Sequence, residues 1–295
     1  MAKGVPACGY RVYRNKDGST YKREIKPKSE QTNNVVQFTP PVSTESDAQI
    51  AERLNDRFEI LDVLAQSCIV GDSRSLIVSG PPGLGKSFTI ENALKDWDVD
   101  GDRHVIIKGY VRATGLFKLL YKYREAGNIV VLDDADNIFF DDVSLNLLKA
   151  VCDTTEQRTV SWLSEARLND DETGEPIPRS FDFDGSVIFL TNYDFDAMIA
   201  RGHKLAPHLQ ALVSRSQYVD LAMKSVRDYL VRIDQVVGQG MLDDLSGQQR
   251  QDVMNFIHEN AYKLRELSLR MAIKIGAIRK TNMNWQKIAT VTCCK

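Results

Sequence analysis

The chain has 295 residues, 43% of them hydrophobic and 26% charged, with a formal net charge of −2. That balance excludes wholesale disorder and a fibrous class, and the length suits about two domains. Apolar runs such as Ile129-Val130-Val131-Leu132 and Val187-Ile188-Phe189-Leu190 stop at four residues, far below the roughly twenty of a membrane-spanning helix. With no apolar leader in its first residues, the sequence predicts a soluble, cytoplasmic chain with no membrane partner.

Charge is unevenly spread. Residues 1–30 hold eight Lys/Arg against three Asp/Glu, a local +5 that leaves −7 for the rest. A basic N-terminal arm over residues 1–45 points weakly to an acidic partner such as DNA or RNA, and equally to a solvated tail. Within it, Asn15-Lys16-Asp17-Gly18 is a hairpin turn signal, and residues 29–46 have linker composition. The five cysteines form no CxxC and the four histidines no HExxH; reduced, inert thiols are expected, and no histidine metal site.

From Asp47 the pattern becomes regular. Ile50, Leu54, Phe58, Leu61 and Leu64 recur at helical spacing, and Leu76-Ile77-Val78 forms a strand that runs into a Gly/Pro loop and another helix. Further strands are expected at 105–107, 129–132, 159–163, 187–190 and 218–221, with helices over 116–124 and 145–151. Near-continuously apolar strands alternating with helices predict an α/β fold: a parallel sheet covered on both faces, over residues 46–222. Beyond about Met223 the signal is helical only, with Ser246 a plausible N-cap, and predicts a small all-α domain over 223–295.

The chemistry is carried by Gly80-Pro81-Pro82-Gly83-Leu84-Gly85-Lys86-Ser87, a complete GxxxxGK[ST] loop between a strand and a helix, with Phe88 following. Its backbone N–H groups and the helix N-terminus suit an oxyanion. Lys86 would reach the outer phosphates of a nucleotide, and Ser87 would ligate Mg²⁺. The strand at 129–132 ends in Asp133-Asp134, on the sheet edge that carries the loop. Asp133 is placed to hold Mg²⁺ through water, and Asp134 to orient or deprotonate an attacking water.

These segments, with a later strand ending in Thr191-Asn192, resemble Walker A, Walker B and sensor 1 of the AAA+ ATPases. The resemblance covers about residues 46–275 and implies a five-stranded parallel sheet followed by a helical lid. It implies ATP and Mg²⁺ as cofactors and a homo-oligomer, as a ring or open ring. By the same resemblance Asn192 positions the lytic water. Arg215, in Leu212-Val213-Ser214-Arg215, is similar to an arginine finger acting on a neighbour's site; an ordinary surface arginine is the alternative. Arg270, in Leu267-Ser268-Leu269-Arg270, matches the lid arginine that contacts the γ-phosphate, with Arg265 as competitor. The family usually has Asp-Glu at Walker B. Asp-Asp resembles replication initiators and helicase loaders, and puts fast turnover in doubt.

Three downstream roles follow. The basic arm, the Asp-Asp pair and a polar insertion at residues 165–184 suit a nucleic-acid motor or loader in replication or recombination, phage-encoded and so at work in the host cytoplasm. Tyr110-Val111 resembles a polymer-gripping pore loop, where Lys108 and Arg112 would suit an anionic polymer; with the net acidic body, the Tyr-Val pair also suits a chaperone-like role on a protein client. A slow nucleotide-gated scaffold is the third.

Overall fold

The computed structural model describes residues 10–24, 45–164, 167–281 and 284–295, and the chain divides into two compact units, Met1–Thr44 and Glu45–Lys295. In the first, strands β1 (Tyr10–Arg14) and β2 (Thr20–Glu24) pair antiparallel around the Asp-Gly turn, where Asn15 N–H donates to Ser19 O at 2.8 Å. Residues 25–44, which include most of the linker composition, lie outside the described residues.

The second unit opens with α1 (Asp47–Val70), started by a capping box between Ser46 and Gln49 and stopped by Gly71 in the left-handed region (φ 87°). Then follow β3 (Ser75–Ser79), α2 (Lys86–Trp97), β4 (His104–Lys108), α3 (Ala113–Lys122), β5 (Ile129–Asp133), a 3₁₀ turn (Asp136–Phe140) and α4 (Asp142–Val151). Strands β6 (Thr159–Ser161) and β7 (Ser180–Asp182) lead to β8 (Ser186–Thr191), α5 (Phe195–Ala200), α6 (Ala206–Val213) and β9 (Gln217–Asp220).

Five strands form one parallel sheet in the order β4-β5-β8-β3-β9. The residues of β3, β5 and β8 are buried throughout, because successive side chains serve opposite faces. Leu76, Val78, Ile129, Val131, Ile188 and Leu190 pack with α1 and α2. Ile77, Val130, Leu132, Val187 and Phe189 pack with α3, α4 and α6. The register aligns Ser79 with Thr191, and Asp133 with both Leu190 and Lys108. Phosphate loop and acids therefore meet at one sheet edge.

The expected strand over 159–163 departs from the sequence reading. It leaves the main sheet and pairs antiparallel with β7, Val160 opposite Phe181. Its Thr-Val-Ser alternation leaves only Val160 buried, which suits a ribbon wet on one face and not a sheet covered on both. Beyond β7's partner the insertion folds back: Asp171 pairs with Lys118 and Glu172 with Lys122, both on α3. The acids at its tip thus meet lysines of the same chain.

The remaining helices, α7 (Val226–Gly238), α8 (Gly247–Glu259), α9 (Leu269–Thr281) and α10 (Trp285–Cys293), share a separate core built on Ile233, Val253, Phe256, Ile275 and Trp285. Ser246 caps α8, again through a capping box, with Gln249. Arg57 of α1 donates to the carbonyls of Asp220 and Ala222 at 3.0 and 3.2 Å, and Arg53 pairs with Asp228 at 3.0 Å. The connection from sheet to helical group is thereby tied to α1. Among the described residues, no helix is long and apolar enough to cross a membrane.

Candidate nucleotide-binding site

The loop between β3 and α2 keeps its shape because three glycines take positive φ: Gly80 (156°), Gly83 (72°) and Gly85 (100°). Gly83 also has no room for a side chain, since a Cβ there would stand 2.7 Å from Ser268 Cβ. The start of α9 rests on the loop at this point, with Leu269 N–H donating to Gly83 O at 2.8 Å. A cavity of about 670 Å³ opens between the loop and the helical group, lined by residues 82–89, Asp134, Asn192, Arg232 and Arg270. Val236, Met241, Leu269 and Ile273 make its apolar end.

Lys86 is buried, 5% exposed, and no carboxylate among the described residues is hydrogen-bonded to it. Its Nζ donates to Gly80 O, to Pro81 O at 3.1 Å and to Asn192 Oδ1 at 2.9 Å. Burial pushes its pKa down to about 8, against the opposing pull of Asp134, Asp133 and Asp136. The Asn192 amide donates in turn to Asp134 Oδ1 at 2.8 Å, so one side chain ties the loop lysine to the second acid. Asp134 holds a left-handed backbone (φ 53°), a conformation Asp tolerates better than most residues but one that costs energy. Its N–H donates to Leu190 O at 3.0 Å, which fixes the kink against β8.

Ser87 Oγ donates to Asp133 Oδ1 at 3.0 Å, and the Lys108 ammonium lies 3.4 Å from the other oxygen of that buried carboxylate. Lys108 also bonds Glu91 at 2.7 Å, which, with Asp133, raises its pKa. A hydroxyl and a carboxylate on adjacent elements are oxygen donors of the kind a hard divalent cation takes. Among the described residues no group of three or more His, Cys, Asp or Glu is placed to hold a metal ion. Asp136 accepts from Thr191 Oγ1 at 2.6 Å, and burial raises its pKa.

The structure therefore brings Pro82 to Phe88, Asp134, Asn192 and Arg270 to one cavity, with Gly80 and Pro81 supplying carbonyls and Asp133 set behind Ser87. Phe88 is 68% exposed at its rim. Arg270 lines the cavity and Arg265 does not. Arg215 is elsewhere: it precedes β9 at the opposite end of the sheet, where it donates to Ala211 O at 2.8 Å and lies 3.9 Å from Asp153. The Tyr110-Val111 pair is split, with Tyr110 74% exposed and Val111 buried, its backbone bonded both ways to Asn137. The two therefore do not project as one gripping tip.

The sequence places Lys108 beside a pore loop and not at the acids, and it passes over Arg232. Lys108 sits at the end of β4, in register with Asp133. Arg232, on α7, is 7% exposed and lies with its guanidinium 3.4 Å from the centre of the Phe58 ring. Burial pushes its pKa down to about 10 and no charge opposes the shift. Nothing local in the sequence marked it.

No protein-family model matches the chain. Among curated proteins, the "Uncharacterized 36.7 kDa protein in nrdC-mobD intergenic region" of Enterobacteria phage T4 is 38% identical over 251 residues, which are 83% of this chain and 76% of the phage protein. Solved structures similar to it include NtrX from Brucella abortus in complex with ADP, at 13% identity and TM-score 0.42, and C. elegans PCH-2, at 12% and 0.34. They match 78% and 81% of this chain, which spans about half (51%) of the NtrX chain and 63% of PCH-2. The chain belongs to the family of the phage T4 36.7 kDa protein, and it folds as a parallel five-stranded sheet with a phosphate loop, followed by a group of helices.

Proposed function

We infer that this protein is a Mg²⁺-dependent ATPase that works as a homo-oligomer, in a ring or open ring, and couples hydrolysis to remodelling or loading nucleic acid in replication or recombination. The observation that carries the ATPase reading is the chain Lys86–Asn192–Asp134 across the mouth of the phosphate loop. It links the group that would bind phosphate to the group that would handle water.

In this reading the N–H groups of the loop and the N-terminus of α2 receive the β- and γ-phosphates. Lys86 exchanges the carbonyls of Gly80 and Pro81 for phosphate oxygens, gaining anionic acceptors in place of neutral ones. Ser87 and Asp133 would hold Mg²⁺, which supplies charge neutralisation on the phosphate oxygens. Asn192, turning from Lys86, keeps Asp134 aimed. Asp134 accepts a proton from water as the water oxygen bonds to the γ-phosphorus and the bond to the β,γ-bridging oxygen breaks. Arg215 acts from the neighbouring subunit and Arg270 on the γ-phosphate from the lid, residues 223–295.

The nucleic-acid partner is supported by the +5 charge of residues 1–30. The test is steady-state ATP turnover with and without single- and double-stranded DNA, alongside mass measurement with nucleotide. Magnesium-dependent turnover stimulated by DNA, and a mass that rises on adding ATP, are expected. Stimulation by unfolded polypeptide and not by DNA would overturn the nucleic-acid role, and absence of any turnover would overturn the ATPase.

A further inference from the structure

We propose that Arg232 is a second lid cation for the nucleotide's phosphate chain, held ready against Phe58 and completed only by the bound anion; this rests on the nucleotide reading of the cavity. Arg232 as a residue is more than nine-tenths buried, its Nε has no hydrogen-bond partner among the described residues, and it lines the cavity. Buried arginines are ordinarily paired, since an unpaired charge away from water is costly. Here the face stacked on Phe58 gives a cation–π contact, which orients the planar group but supplies no acceptor to its Nε.

The charge around the cavity identifies what is missing. Its charged lining residues are Lys86, Arg232 and Arg270 against Asp134 alone, three cations to one anion. A polyanion balances that set, whereas a neutral base or sugar does not. Position narrows it further. Arg232 Nη2 lies 3.8 Å from where a Cβ on Gly85 would stand, directly before Lys86. Arg270 approaches Gly83 instead, its Cγ 3.7 Å from the corresponding point. The two arginines thus address different residues of the loop, from α7 and from α9. A phosphate chain lying along the loop would meet both, so nucleotide would bind α7 and α9 to α2 together.

The experiment is calorimetric titration of the full chain with ATP, ADP and adenosine, in wild type, Arg232→Met and Arg232→Lys, with thermal denaturation of each with and without ATP. Wild-type binding of ATP establishes the cavity as a nucleotide site; failure there removes the nucleotide reading and this proposal with it. Given that binding, Arg232→Met is expected to lose roughly 10- to 100-fold in affinity for ATP and ADP, the size of a charge-assisted bond. Adenosine affinity should be unchanged. Ligand-free Arg232→Met should melt no lower than wild type while its ATP-induced Tm rise shrinks, and Arg232→Lys should recover part of the affinity. A loss equal for adenosine would assign Arg232 to base or sugar and overturn the proposal. So would a lowered Tm with unchanged ATP affinity, the result of a purely structural arginine.

Discussion

Replacing Lys86 by Met should make the ligand-free protein more stable while abolishing its response to ATP. In the folded chain the ammonium is buried among two loop carbonyls and an amide, and its pKa falls from 10.5 to about 8. At 1.36 kcal/mol per pKa unit, holding that charge at pH 7 costs about 3 kcal/mol of folding stability. Methionine fills the same stem volume without the charge. Part of the gain is returned, because the carbonyls of Gly80 and Pro81 and the Asn192 amide lose a donor. The expected net is a Tm rise of roughly 3–8 °C for a unit of this size. The pH dependence carries the same signature with a definite sign. Between about pH 8 and 10.5 the unfolded chain binds a proton that the folded chain has released, so wild-type stability rises with pH across that window. The penalty is fully present below pH 8, and the slope should be missing from Lys86→Met. Differential scanning calorimetry from pH 7 to 10.5, with and without Mg·ATP, reads both effects. A variant that melts lower than wild type at pH 7, or keeps the full ATP-induced shift, would refute the reasoning.

Three further outcomes are expected. Asp134→Asn should bind Mg·ATP with affinity near wild type but turn it over at least a hundredfold more slowly, as loss of a general base does, and should accumulate the ATP-bound oligomer on sizing columns; unimpaired turnover would move the water-handling role to Asp136. Arg215→Ala and Lys86→Ala should each be inactive alone and partly rescue each other on mixing, because a finger acting in trans is worth roughly 10³–10⁵ in rate; a monomer with concentration-independent specific activity would rule the finger out. Gly83→Ala must place a Cβ 2.7 Å from Ser268 Cβ at φ 72°, so it should lower Tm by a loss of about 1–3 kcal/mol and expose the start of α9 to proteolysis; wild-type Tm and protection would mean that α9 does not bear on the loop.

Local regularities of sequence carried the framework. Apolar runs of four residues suit a strand covered on both faces, so Ile129–Leu132 and Val187–Leu190 announced interior strands without knowledge of their neighbours. The spacing of glycines before Lys86-Ser87 specifies positive-φ positions and a helix start, both properties of consecutive residues, so the phosphate loop was readable outright. Ser246 announced a helix start by the same local logic.

What consecutive residues could not convey was which distant groups meet. The strand order put Lys108 beside Asp133 across a parallel pair joined through α3, and the 24 intervening positions leave no local trace of that contact. Short strands near Thr159 read alike whether they enter the main sheet or pair in a hairpin; only the tertiary pairing, with β8 beside β5 and β6 on β7, distinguishes them. Tyr110 and Val111 read as one exposed tip until Asn137 took the backbone of Val111 and turned its side chain into the core. Arg232 is the clearest case. On its own helix it is one more charged residue between Val231 and Ile233, and nothing in that stretch separates it from a solvated arginine. Its burial arises because Arg57 and Arg53 tie the start of α7 to α1, which lays the guanidinium on Phe58 at the wall of the cavity. Sequence determines the elements because backbone geometry is set by neighbours along the chain; tertiary structure decides the electrostatics of the cavity because charge interacts through space.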